Sequence, residues 1–157
     1  MKRISLKFVK WGTGLLAIGL LTGYGPLAHY LHGGVAIRCP WAPIHAHAAL
    51  LGWVGLTLFG LVYRALPEWG TPGPNAVRLA KAHLWISIAA VLGIYANGIC
   101  GYRLLNRISP AFYYKPDPHT LNLWLSIDGG FLTLYAVGCA LFMMVLFGNV
   151  TFDEDAR

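Results

Sequence analysis

The chain has 157 residues, of which 57% are hydrophobic and only 11% charged. A water-soluble domain carries about a quarter charged residues, so this composition excludes an ordinary soluble fold, and the length suits one domain. The net charge is +6, but no basic stripe or face is visible, which excludes a nucleic-acid binder.

The charges are unevenly placed. Residues 11–37, 39–63 and 82–102 contain no Asp, Glu, Lys or Arg, and 118–152 contain only Asp128. Each run exceeds the roughly 20 apolar residues needed to cross a bilayer core. Alternating strands of a membrane barrel would not give such continuous runs. The sequence therefore predicts an all-α integral membrane four-helix bundle, a single domain over 1–157, with spans at about 11–31, 44–66, 77–102 and 119–148.

The basic start, Met1 to Lys10, followed by an apolar stretch imitates a signal peptide. It lacks an obvious small-residue cleavage site, so the stretch is read as the first span. There Gly12, Gly14, Gly19 and Gly23 suit close helix packing. The second span is expected to stop at Pro67, before a Gly- and Pro-rich turn over 68–75. The loop after the third span carries Phe112, Tyr113 and Tyr114, types common at a membrane interface. The tail 152–157 is polar and expected to fray. The six Trp read mainly as interface anchors, and Met143 and Met144 as core filler.

Orientation follows the basic residues. With the N-terminus inside, Lys2, Arg3, Lys7, Lys10, Arg64, Arg78, Lys81 and Arg157 lie inside, against Arg38, Arg103, Arg107 and Lys115 outside. Both termini are then cytoplasmic, in an inner membrane, with a periplasmic outer face. Cys39 and Cys100 fall near that face, where a disulfide is conceivable. Cys139 reads as a packing residue.

Short loops make consecutive spans antiparallel. His29, His32, His45, His47 and His119 thus converge on the outer face. His83 is the exception, near the inner start of the third span and on the order of 25–30 Å from His47 at 1.5 Å per residue. It reads as structural, bonding a backbone carbonyl across helices. A lone histidine in a membrane edge is more often a hydrogen-bonding group than a ligand; five together favour a metal or haem site. His45 and His47, two residues apart, point about 200° apart on a helix. They can serve two sites, or chelate one copper or zinc if 43–47 is not helical. Asp128, the sole acid within a span, needs a partner, for which Arg103 or a histidine at similar depth is a candidate.

His45-Ala46-His47 followed by Leu51-Gly52-Trp53-Val54, Gly60, Tyr63 and Pro67 resembles the tenth helix of the haem-copper oxidase catalytic subunit, in its C-type oxidase and nitric oxide reductase branch. Ala82-His83-Leu84-Trp85 resembles the start of the next helix there. Pro118-His119 with Gly129-Gly130 resembles the last. The similarity covers most of residues 28–148. It implies one four-helix arc of a twelve-helix, pseudo-threefold subunit, which a homo-oligomer would rebuild; a trimer is favoured over a dimer.

The resemblance also implies that His45 binds a high-spin haem and His47 a low-spin one, with Arg38, Trp41 and Arg103 near the propionates. His119, His32 and His29 are alternative second iron ligands. No Cys-x-x-Cys-His is present, so covalent haem is not expected. The family's copper site needs an adjacent His-His pair, which this sequence lacks. Oxidase activity is therefore not expected of this chain alone, and no catalytic residue is assigned.

The reading is a membrane protein binding haem b, for electron transfer or binding of O2 or NO, with a redox partner or other respiratory-chain subunits as associates. Two rivals stand beside it. One is a haem-free accessory or assembly subunit of a respiratory complex. The other is an outer-face copper or zinc protein using His45, His47 and His119, with Cys39.

Overall fold

The computed structural model describes residues 1–31, 46–98, 118–148 and 150–152, and their side chains apart from those of 23–31, 48, 120, 151 and 152. Helix α1 (Lys2–Leu31) comes first. A π-helical segment (Ala48–Gly55) runs straight into α2 (Leu56–Trp69). A short strand β1 (Gly70–Pro72), helix α3 (Ala76–Ala96), helix α4 (Pro118–Gly148) and strand β2 (Val150–Phe152) complete the described order.

Among the described residues, four helices are long and apolar enough to cross a membrane, over Lys2–Thr22, Ala49–Trp69, Ala76–Ala96 and Leu121–Gly148. The first three stretches of 21 residues are each about 31 Å long at 1.5 Å per residue, the thickness of the hydrocarbon core. The chain is an all-α, multi-pass membrane bundle.

Some boundaries differ from the sequence expectation. Helix α1 begins at Lys2, nine residues before Trp11, because the basic start is itself amphipathic: Ile4, Ser5 and Phe8 are buried. Helix α2 passes through Pro67 to Trp69. The turn over 68–75 is not plain coil, since β1 pairs antiparallel with β2, Gly70 opposite Phe152 and Pro72 opposite Val150; of the tail, 153–157 lie outside the described residues.

Glycines bring α1 against α2. A Cβ on Gly12 would lie 2.8 Å from Thr57 Oγ1, one on Gly52 3.0 Å from Leu15, and one on Gly60 3.0 Å from Phe8. Gly14, expected to pack, meets nothing and faces outward. Numbers rise in α1 as they fall in α2, so the two are antiparallel. The same holds for α3 and α4, where Gly93 meets Phe131 and Ser87 meets Gly138.

These two hairpins close on an aromatic layer. His83 of α3 is wholly buried, 4.9 Å by ring centroids from Phe8 of α1, 4.6 Å from Phe59 of α2 and 5.7 Å from Phe142 of α4. Met143 and Met144 lie outside this core, 49% and 54% exposed, because their turn of α4 faces away from the bundle. Trp11 and Trp85 pack on each other edge to face at 6.2 Å across α1 and α3.

Candidate functional site: a polar layer at the His47 level

Among the described residues, polar side chains gather in two places. One is the aromatic layer, where Tyr63 Oη lies 2.9 Å from His83 Nδ1. His83 thus bonds a tyrosine hydroxyl and not the backbone carbonyl expected from sequence.

The second place follows from register. Gly55 meets Tyr135, and the Tyr135 hydroxyl donates to the Leu51 carbonyl at 3.1 Å. Phe59 stacks on Phe142 at 4.8 Å. Helices α2 and α4 therefore run parallel with an offset of about 80–84 residues, which sets His47 level with residues 127–131. Gly52 meets Val91, and Phe59 meets His83, across antiparallel α2 and α3. The same register sets His47 level with Tyr95 and Ala96, within a turn of Asn97.

At this level the described bonds form a polar layer. Asn97 donates from Nδ2 to Asp128 Oδ1 at 2.8 Å and to the Trp124 carbonyl at 3.3 Å. Trp124 Nε1 donates back to the Asn97 carbonyl at 3.3 Å. The Tyr95 hydroxyl reaches the Ile18 carbonyl at 3.2 Å and Thr22 Oγ1 at 2.5 Å. Asp128 is thus partnered by Asn97, an amide that sequence reasoning passed over; its signal was a second polar side chain at matching depth one helix away. Arg103 lies outside the described residues.

His47 has helical dihedrals, φ −64° and ψ −41°, and leads directly into the π-helical segment. Such segments cluster at functional sites. The His47 side chain is half-buried and makes no hydrogen bond to another described residue. His119 is exposed in the first turn of α4. By register it stands roughly 12–18 Å farther along the axis than His47. One ion cannot reach both within a single chain. Among the described residues, no group of three His, Cys, Asp or Glu could hold a metal, so the copper or zinc alternative finds no ligand set there. His83 lies about 18–20 Å from the His47 level, twelve to thirteen residues down α3, less than the 25–30 Å expected from sequence.

Of the other candidates, His32, Arg38, Trp41, His45 and Arg103 lie outside the described residues, as do Cys39, Cys100 and the aromatic loop at 112–114. His29 belongs to α1, but its side chain is not described. Cys139 is half-buried and unbridged.

Comparison with known proteins gives partial similarities. The chain is 32% identical over 60 residues to cytochrome c oxidase subunit 1 of Rhodobacter capsulatus, covering 38% of this chain and 11% of that protein. It is 35% identical over 63 residues to a bacteroid subunit 1 homologue of Bradyrhizobium diazoefficiens, covering 39% and 12%. It is 32% identical over 57 residues to a subunit 1 homologue of Agrobacterium tumefaciens, covering 36% and 10%. Part of this chain is related to haem-copper oxidases. The matched stretch spans only about a tenth of the length of these relatives. No protein-family model matches the chain, and no solved structure does.

Proposed function

We propose that the chain is a membrane b-type haem protein, built like one arc of a haem-copper oxidase subunit and completed by copies of itself. The observation that carries this reading is the placement of His47. The bundle interior is filled with side chains: Phe8, Leu56, Tyr63, His83 and Val145 are all fully buried. A macrocycle has no room there and must lie on a flank. His47 is a half-buried imidazole with helical dihedrals, near the level of the Asn97–Asp128 layer. These features fit an axial ligand.

His45, two residues earlier, would present to another side, and His119, His32 and His29 would be alternative second ligands. Arg38, Trp41 and Arg103 would hold the propionates. Haem b would supply a one-electron couple when held by two histidines, or a site for O2 or NO when one axial position stays open.

The outward face of α4 supports assembly between copies. Gly129 and Gly130 have open space where a Cβ would stand, and Leu125, Ile127, Leu132 and Val137 around them are exposed. Small residues let membrane helices approach closely, and a closed ring of heterologous contacts is an ordinary solution. A trimer would match the pseudo-threefold arrangement, with a dimer as the smaller alternative. The polar layer would then face the periplasm, in a cytoplasmic membrane, where a redox partner or other respiratory subunits could approach.

The test is a dithionite-reduced minus oxidised spectrum of detergent-purified protein, with a pyridine haemochrome count per chain and native mass spectrometry. A sharp α-band that His47→Ala abolishes and His83→Gln keeps supports the reading. A flat spectrum from folded protein made in haem-replete cells overturns it and favours a haem-free accessory subunit.

A further inference from the structure

The aromatic layer contains an unbalanced hydrogen bond. The phenol of Tyr63 has one proton to give, and its described partner is His83 Nδ1 at 2.9 Å. With Tyr63 donating, Nδ1 accepts and the imidazole proton sits on Nε2. Yet His83 Nε2 is buried without a hydrogen-bond partner. One turn along α3, Ser87 Oγ is buried and unpartnered as well. Both residues have no exposed surface.

The two orphaned atoms share a neighbour. A Cβ on Gly138 of α4 would lie 2.7 Å from Ser87 Oγ and 3.4 Å from His83 Cδ2, the ring carbon bonded to Nε2. An α4 position that both side chains face is thus a residue with no side chain. Buried polar groups in folded proteins are nearly always bonded, to protein or to ordered water. A water needs a polar, roomy site with at least two partners. Thr57 Oγ1, the third unpartnered atom, belongs to a different seam, against Gly12 of α1.

We propose that His83 Nε2, Ser87 Oγ and the bare backbone at Gly138 form a binding site for a single internal water in the α3–α4 seam. The water accepts from Nε2–H and shares a hydrogen bond with the Ser87 hydroxyl. Tyr63, His83, the water and Ser87 then make one continuous hydrogen-bonded chain from α2 across α3, inside a layer otherwise lined by Phe8, Phe59 and Phe142. The rival arrangement points Nε2–H at an aromatic face, for which Phe59, tilted 76° to the imidazole, is placed. That contact is weaker and leaves Ser87 unbonded.

Solid-state NMR of histidine-15N-labelled protein in lipid bilayers decides between them, with the His83 resonances assigned by their loss in His83→Gln. The readout is water-edited transfer of magnetisation to Nε2. The expected result is a protonated Nε2 that receives magnetisation from water in the wild type. Gly138→Ala, which fills the space, abolishes the transfer while the Tyr63–Nδ1 coupling persists. Where Gly138→Ala does not fold, Ser87→Ala serves instead and lowers the transfer several-fold. No transfer to Nε2 in the wild type, or transfer unchanged in the variant that folds, overturns the proposal.

Discussion

The hydroxyl of Tyr135 donates to the carbonyl of Leu51 across 3.1 Å, pinning α4 to the middle of the π-helical segment. The same hydroxyl occupies the place where a side chain on Gly55 would begin. A wider helical turn and a large partner side chain therefore share one spot. Tyr135→Phe removes the donor and leaves the ring. The expected loss is about 0.5–1 kcal/mol, the usual worth of such a bond between membrane helices. Amide hydrogen exchange over residues 48–56 should rise with it, and equilibrium unfolding in mixed micelles measures the loss.

Gly55→Ala drives a methyl into that hydroxyl and should cost about 1–3 kcal/mol by overpacking. In the Tyr135→Phe background the obstacle is gone, so the alanine should cost clearly less. A double-mutant cycle reads the coupling directly. Strict additivity would show that the hydroxyl is not what excludes a side chain at Gly55.

The Tyr63–His83 pair gives an asymmetric expectation. Tyr63→Phe leaves a buried imidazole nitrogen unbonded and should cost about 1–3 kcal/mol. His83→Leu together with Tyr63→Phe removes both polar partners and should recover most of that loss, since an apolar pair of similar shape is nearly neutral. Unfolding midpoints of the three variants, in one detergent and at one pH, test the order.

At the polar layer, Asp128→Asn keeps an acceptor for the Asn97 amide and should be well tolerated. Asn97→Leu strands a carboxylate in a membrane span, which is costly without a partner. It should lower folded yield and thermal stability more than Asp128→Asn. Asn97→Leu with Asp128→Leu should restore them in part. Fluorescence size-exclusion after stepwise heating ranks the set.

The spans were legible because continuous apolar runs have one reading in a bilayer. The start of α1 was not. Lys2, Arg3, Lys7 and Lys10 look like a flank, while Ile4 and Phe8 between them pack into the bundle at helical spacing. The π-helical turn at Ala48–Gly55 leaves no mark in a run of Ala, Leu, Gly and Val. Strands of three residues, one beside a turn and one near the C-terminus, carry no period to read.

At the candidate site, the separation of His83 from the His47 level was legible, because the two lie at opposite ends of their spans. Pairing across helices was not. Asn97 with Asp128, and Tyr63 with His83, depend on the rotation of each helix about its axis, which the near-uniform hydrophobicity of these segments leaves open. The levels of His47 and His119 also looked alike from sequence, because a loop's length does not tell how far a helix extends beyond its span.

The pairing of β1 with β2 ties the chain just before α3 to the chain just after α4. Those two helices are therefore enclosed in a ring of polypeptide whose clasp is three residues wide. Pulling on the C-terminal end in a force experiment would load this clasp before it loads any helix. Once it opens, α4 can peel from α3. While it holds, the two should leave the bundle as one cooperative unit.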